Sequence, residues 1–382
     1  MSNPSMAPIV NSSRRPRAFV LLAYGFGAKA RKAKFDAGEL IGLNEPYAYG
    51  YFHAKDDGID VIYSEDRPES RFSRLARLVL RAVLGFDLIH AFRHRSEIMS
   101  ADIVWTHTES QSLAAGFVWR SLPKAKRPRL LFQQIWLIDR WPRLFPLRKY
   151  LFRWLLAPAD VLTFHSPLNT AKAREIFPNQ RCELVRYGIV CEPKILPRKI
   201  EGGGPLRVLA LGNDRHRDWK TLIAAVDRCE DLHLTIVSRT IPRALVVGKP
   251  NVTLARITRN EDLFAQYAAA DVVALCLKSN LHVSGSTVSQ EAAVMGVPAV
   301  ITDVGGLRAY FDENCVCYVP QGDPSALRAA LRAQAADPDA AYQRAVNAQA
   351  NLSPEGISSR TFARDHAILS FQILGVTPPH NV

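Results

Sequence analysis

Nowhere in the 382 residues does an uninterrupted apolar run reach the length of about eighteen that a membrane-spanning helix needs, so no transmembrane helix is expected. Cysteine is scarce and unpatterned. The six (182, 191, 229, 276, 315 and 317) show no metal-ligand spacing, and Cys315 with Cys317 alternates as in a strand. Their distribution fits a reduced, cytosolic compartment. Helix-turn-helix, zinc-finger and RNA-binding signatures are all missing, so a nucleic-acid module would rest on charge alone. Acidic residues are nearly absent between positions 119 and 154, where Asp139 faces ten Lys and Arg interleaved with Trp119, Trp136, Trp141, Phe145, Phe152 and Trp154. Cations beside indole rings suit the headgroup region of an anionic bilayer. A single-strand nucleic-acid groove is the competing reading.

The net charge of +13 is unevenly placed. Residues 1–195 carry 30 basic against 18 acidic side chains, the remainder 19 against 18. The positive field therefore belongs to the first half and calls for an anionic partner there. Arg14, Arg15 and Arg17 ahead of AFVLLAYGF imitate a signal peptide, with Ala28-Lys29-Ala30 as cleavage site. Gly25 and Gly27 break that short run, which serves better as a first buried strand after a disordered start.

Strand-like runs at 18–24, 59–63, 103–105, 160–165, 184–189, 207–211, 233–238, 271–275 and 299–302 alternate with helix-period segments, a doubly wound α/β pattern. Pro193, Pro197 and Gly202-Gly203-Gly204-Pro205 form a linker at about 192–205. The expected domains are 1–195, basic and membrane-facing, and 196–357, nucleotide-binding, with a helix at 358–382 packing back on the first. In the helix pattern 71–86, Leu75, Val79, Ala82, Val83 and Phe86 share one face, and Arg71, Arg74, Arg77 and Arg81 gather on a neighbouring face. That second face is either solvated or laid on lipid.

The most informative stretch is HVSGSTVSQEAAVMGVPAVITDVGG at 282–306: a small-residue loop, a helix, a tight turn, a strand and a glycine loop. Ser286 or Thr287 is placed to cap the helix, whose first-turn amides favour a phosphate, and Glu291 lies about a turn further in, within reach of a ribose. An ordinary αβ unit is the plainer alternative. Gly25-Phe26-Gly27 at the first strand's end, backed by Lys29, Arg31, Lys32 and Lys34, is a second loop able to approach a phosphate or an acceptor sugar, or a plain turn.

EAAVMGVPAVITDVGG, with YVPQGDPSALRAAL at 318–331, resembles the nucleotide-sugar half of a GT-B glycosyltransferase of the family-4 type, over about residues 206–335. That resemblance implies two Rossmann-like domains facing a central cleft, and transfer of a sugar from a UDP- or GDP-linked donor. The family's first Glu falls on Val283 and its second on Glu291. Relatives that read Ser-Gly and a hydroxyl residue in this loop match Ser284, Gly285 and Thr287. In GNDRHRDWK at 212–220, Arg217 stands where the family's Lys grips the diphosphate and Asn213 where its Arg does, leaving that task to Arg215. Lys278 and Ser286 join the phosphate contacts, and the segment around Ile257 holds the base. His107, after a first-domain strand, matches the histidine that faces the donor sugar, and Glu109 is the candidate general base if the anomeric carbon is inverted. Retention is what the resemblance implies, without a metal or other cofactor. The acceptor expected is a lipid-linked saccharide at the inner face of the cytoplasmic membrane, in surface or exopolysaccharide assembly. A nucleotide-sugar epimerase of the same fold is the enzymatic alternative.

Overall fold

The computed structural model describes residues 14–379; most of the expected disordered start, and the last residues of the 358–382 segment, lie outside them. The chain divides into two compact units. The first holds residues up to Lys34, Glu45–Val185 and the chain from Arg360 onward; the second holds Phe35–Asn44 and Arg186–Ser359.

Unit 1 is built on a six-stranded parallel sheet of β1 (Arg17–Leu21), β2 (Asp60–Tyr63), β3 (Ile103–Thr106), β4 (Arg129–Gln134), β5 (Val161–Phe164) and β6 (Cys182–Leu184). Their order is β2-β1-β3-β4-β5-β6. Segments such as IVWT and VLTF are buried on both faces, as strands covered by helices on either side must be. Unit 2 repeats the plan with β7 (Leu206–Leu211), β8 (Leu232–Val237), β9 (Val252–Leu254), β10 (Val272–Leu275), β11 (Ala299–Thr302) and β12 (Cys317–Val319), ordered β12-β11-β10-β7-β8-β9. The order reverses between β7 and β10. In open α/β sheets, ligands bind outside the strands' carboxyl ends at such a reversal.

Three expectations are corrected. The strand expected at 184–189 ends at Leu184, and Tyr187 and Ile189 instead bond Tyr310 and Gln290 in unit 2. β4 lies hidden inside the basic 119–154 stretch: its LLFQQ core is buried between cation-rich flanks, so those aromatics and cations do not form one face. Trp141 is buried under Arg153, and Arg120 lies 4.1 Å over the Trp154 ring. Of the two cysteines read as alternating in a strand, only Cys317 lies in one.

The largest departure concerns the helix Arg71–Leu84. Ser70 caps its start by accepting from Ser73 N at 3.2 Å, and Gly85 ends it in the left-handed region. Its one buried residue is an arginine. Arg77 donates to Glu69 at 2.9 Å and Asp87 at 2.5 Å and lies over the Tyr24 ring, so the buried guanidinium is paired on both sides. The apolar stripe faces out instead, with Phe72 81%, Leu75 60%, Val79 56% and Val83 66% exposed. Arg148 ties the helix Pro146–Leu156 to this one by donating to Val83 O at 2.9 Å, and Phe145, Leu147 and Tyr150 are likewise exposed.

Candidate active site

Two loops leave the carboxyl ends of β7 and β10 and are zipped together by backbone. Asp218 N donates to Cys276 O at 2.9 Å, Lys278 N to His216 O at 2.7 Å, and Arg217 pairs with Leu277 as an isolated bridge. Arg217 is thereby fixed in the interior. Its Nε donates to Leu211 O at 2.9 Å and its Nη1 to Ser284 Oγ at 3.4 Å, and burial lowers its pKa. Gly212, at φ 134°, is required here: a Cβ would stand 2.3 Å from Arg217 Nε. Arg215 and Lys278 are exposed on the same loops, and Ile257 is half-buried against the unit 2 core.

The second loop runs into the helix Ser286–Val294. Neither Ser286 nor Thr287 caps it; the N-cap is Gly285 at φ 86°, where a Cβ would meet the Leu275 side chain at 2.6 Å. The helix's positive end nonetheless sits beside the carboxyl end of β10, beside Ser284. Val283, at the family's first Glu position, is buried in the core.

Glu291 is buried, and desolvation raises its carboxyl pKa. It accepts from Tyr267 OH at 3.0 Å and from the backbone N–H of Leu43. Gly42 N donates to Asn260 Oδ1 at 2.8 Å, and at φ 103° its missing Cβ leaves room for Glu291 Oε1. The 35–44 segment of unit 2 thus covers the carboxylate that the sequence places at the ribose. Tyr267, Gly42 and Leu43 have no local sequence signal that points to this contact.

Asp214, His216 and His282 also converge on this site from the two loops. Asp214 accepts from Ser284 Oγ at 2.5 Å and meets His216 Nδ1 at 3.1 Å. An Asp-x-His and an Asn-x-His sixty-odd residues apart were the only trace of this in the sequence.

In unit 1, His107 follows β3 and is buried, at 4% exposure: Tyr51 OH lies 3.0 Å from Nδ1, and the Tyr49 ring stacks on it with centroids 3.4 Å apart. Burial, then the neighbouring His165 and His366, depress its pKa, so the ring is neutral near pH 7. Glu109 opens the helix Glu109–Arg120, accepts from Trp136 N at 3.3 Å and pairs with Arg140. The loop of Gly25, Phe26 and Gly27 is closed on itself. Both glycine amides donate to the Asp66 carboxylate, at 2.9 and 3.1 Å.

Residues 206–337 match the family model for glycosyl transferases group 1. No curated protein matches the chain in sequence. Among solved structures, sucrose-phosphate synthase from Thermosynechococcus elongatus aligns with a TM-score of 0.71 at 17% identity, over 94% of this chain and 99% of its own. Anabaena HepE in complex with UDP and glucose gives 0.64 at 12%, over 92% and 98%. The apo form of the lipopolysaccharide outer core galactosyltransferase WaaB gives 0.64 at 13%, over 93% and 99%. The shared architecture is GT-B, an α/β fold of two parallel six-stranded sheets with helices.

Proposed function

We infer that this glycosyltransferase takes a sugar from a UDP- or GDP-linked donor seated at the carboxyl ends of β7 and β10, and passes it to a lipid-linked saccharide held by unit 1. The observation that carries this reading is a buried, preset Arg217 beside a helix N-terminus, at the sheet's reversal point and inside the segment that matches group 1 glycosyl transferases. There the charge that develops on the departing diphosphate meets Arg217, Arg215, Lys278 and the amides around Ser284, Gly285, Ser286 and Thr287. Glu291 receives the ribose once the 42–44 segment yields it, and the backbone near Ile257 holds the base. His107, neutral and locked by Tyr49 and Tyr51, offers the donor sugar a hydrogen bond without charge. The pairing of Glu109 with Arg140 supports retention, since a free general base is what inversion needs. Product analysis with nucleotide sugars, with and without a lipid acceptor, tests the reading.

The acceptor's lipid places the reaction on an anionic membrane surface, in surface polysaccharide assembly at the inner face of the cytoplasmic membrane. The outward apolar stripe of the helix Arg71–Leu84, the exposed Phe145, Leu147 and Tyr150, and the exposed Arg71, Arg74, Arg81 and Arg143 together make an amphipathic docking face. No helix among the described residues is long and apolar enough to cross a membrane. Replacing Phe72, Val79, Phe145 and Leu147 together by Ser should cut binding to phosphatidylglycerol vesicles by roughly tenfold or more, mostly in the component that salt does not screen. The melting temperature should hold, because these side chains touch little protein. Unchanged vesicle binding would remove this face from the account.

A further inference from the structure

Asp214 fits poorly as a direct neighbour of a diphosphate. Its carboxylate is held by Ser284 Oγ at 2.5 Å and by the His216 backbone N–H at 3.1 Å, an acidic side chain fixed in the loop that the donor reading assigns to phosphate. The geometry around it is that of a ligand set. His216 Nδ1 lies 3.1 Å from Asp214 Oδ1, His282 Nε2 lies 3.9 Å from Asp214 Oδ2, and one ligating atom from each of the three falls within 4.8 Å of the others. The two imidazole rings stand edge to face with centroids 4.7 Å apart.

We propose that Asp214, His216 and His282 form a binding site for one divalent transition-metal ion. An ion about 2.0–2.2 Å from each ligating atom holds those atoms some 3–4 Å apart, which is close to their present spacing. Two imidazoles and one carboxylate suit zinc, cobalt, iron or manganese, and leave coordination positions open. The supporting contacts are already made. Ser284 Oγ orients Asp214, Asn280 Oδ1 accepts from Ser284 N, and the backbone bond from Lys278 N to His216 O fixes one loop against the other. His282 is buried while Asp214 and His216 are partly open, so the ion meets solvent on one side only, where a phosphate oxygen can complete its shell. Loading the site changes its net charge from negative to positive, which turns a repulsive group in the loop into a phosphate contact. The family resemblance implies no metal, and these ligands come from two loops rather than from one closely spaced motif. The ion's use in donor binding rests on the glycosyltransferase reading; its binding does not.

The test uses the full chain, freed of metal by a chelator and titrated with Co²⁺ by visible absorption and calorimetry. One Co²⁺ per chain is expected, without thiolate charge-transfer bands, since no cysteine is among the ligands. Asp214→Asn and His282→Gln should each weaken uptake by about tenfold or more. His216→Gln, on a partly open loop, provides a variant with little risk to folding, and the circular dichroism of each metal-free variant checks that it folds. With the ion bound, UDP affinity should rise in the parent and stay unchanged in the variants. Absence of stoichiometric uptake, or uptake indifferent to all three substitutions, overturns the site. Uptake with no effect on UDP or GDP affinity supports the site and contradicts its coupling to the donor.

Discussion

Replacing Arg217 by Ala should weaken binding of the donor's nucleoside diphosphate by about 2–3 kcal/mol, roughly 30- to 150-fold, while the matching nucleoside binds almost as before. The guanidinium is held by Leu211 O and Ser284 Oγ, so its position is set before any ligand arrives and little ordering cost falls on binding. Only the diphosphate presents the charge that such a group recognises. Arg217→Lys should recover part of the loss at most, because an ammonium lacks the planar fork that reaches both protein partners and phosphate. Calorimetric titration of UDP and uridine, or GDP and guanosine, gives the answer. Equal losses for nucleotide and nucleoside would mean that the substitution acts through folding of the loop.

Acidification should destabilise unit 1 steeply between about pH 6.5 and 4.5. Burial first, aided by neighbouring histidines, pushes His366 down to about 3 and His90 to about 4, and His107 lies well below the ordinary value. The sign follows from the depressed folded-state values. Above the ordinary histidine pKa of about 6.5 neither state binds these protons, and the full stability is present. Below it the unfolded chain takes up protons that the folded chain refuses, so stability falls until the folded-state values are reached. Each histidine costs about 1.4 kcal/mol per pH unit, so His366 and His90 alone remove roughly 5 kcal/mol by pH 4.5, within the whole stability of many domains, and His107 acts in the same direction. His366→Asn should flatten that slope by about a third. Melting temperatures by circular dichroism from pH 7.5 to 4.5 decide the matter: a flat profile, or an unchanged slope in the variant, would show that the cluster accepts protons while folded.

The two sheets were legible because strands buried on both faces read as unbroken apolar runs between helix-period segments. β4 was not, since Arg129 and its cationic neighbours make LLFQQ look like part of a basic surface. Periodicity in 71–86 identified which residues share a face, but Arg77 shows that it does not say which face turns inward. Glu69 and Asp87, the carboxylates that draw that arginine into the core, lie outside the helix. In the candidate site, Arg217, Ser284, Gly285 and Glu291 were named from local motif. Tyr267, Leu43 and the Asp214, His216 and His282 cluster were not, because each depends on loops distant in sequence meeting in space. Even for Glu291 the motif gave the position and not the environment: a buried carboxylate bonded to Tyr267 and to a backbone amide.

Sugar transfer itself is tested most directly by incubating the protein with individual UDP- and GDP-sugars, with and without a membrane lipid extract, and following both the nucleotide and the lipid by mass spectrometry. The account predicts that one donor loses its sugar only when lipid is present, that the lipid-linked saccharide gains one sugar residue, and that Arg217→Ala abolishes both changes. Interconversion of free nucleotide sugars in the absence of any acceptor would contradict transfer and identify an epimerase. A lipid fraction unaltered by every donor would contradict the lipid-linked acceptor.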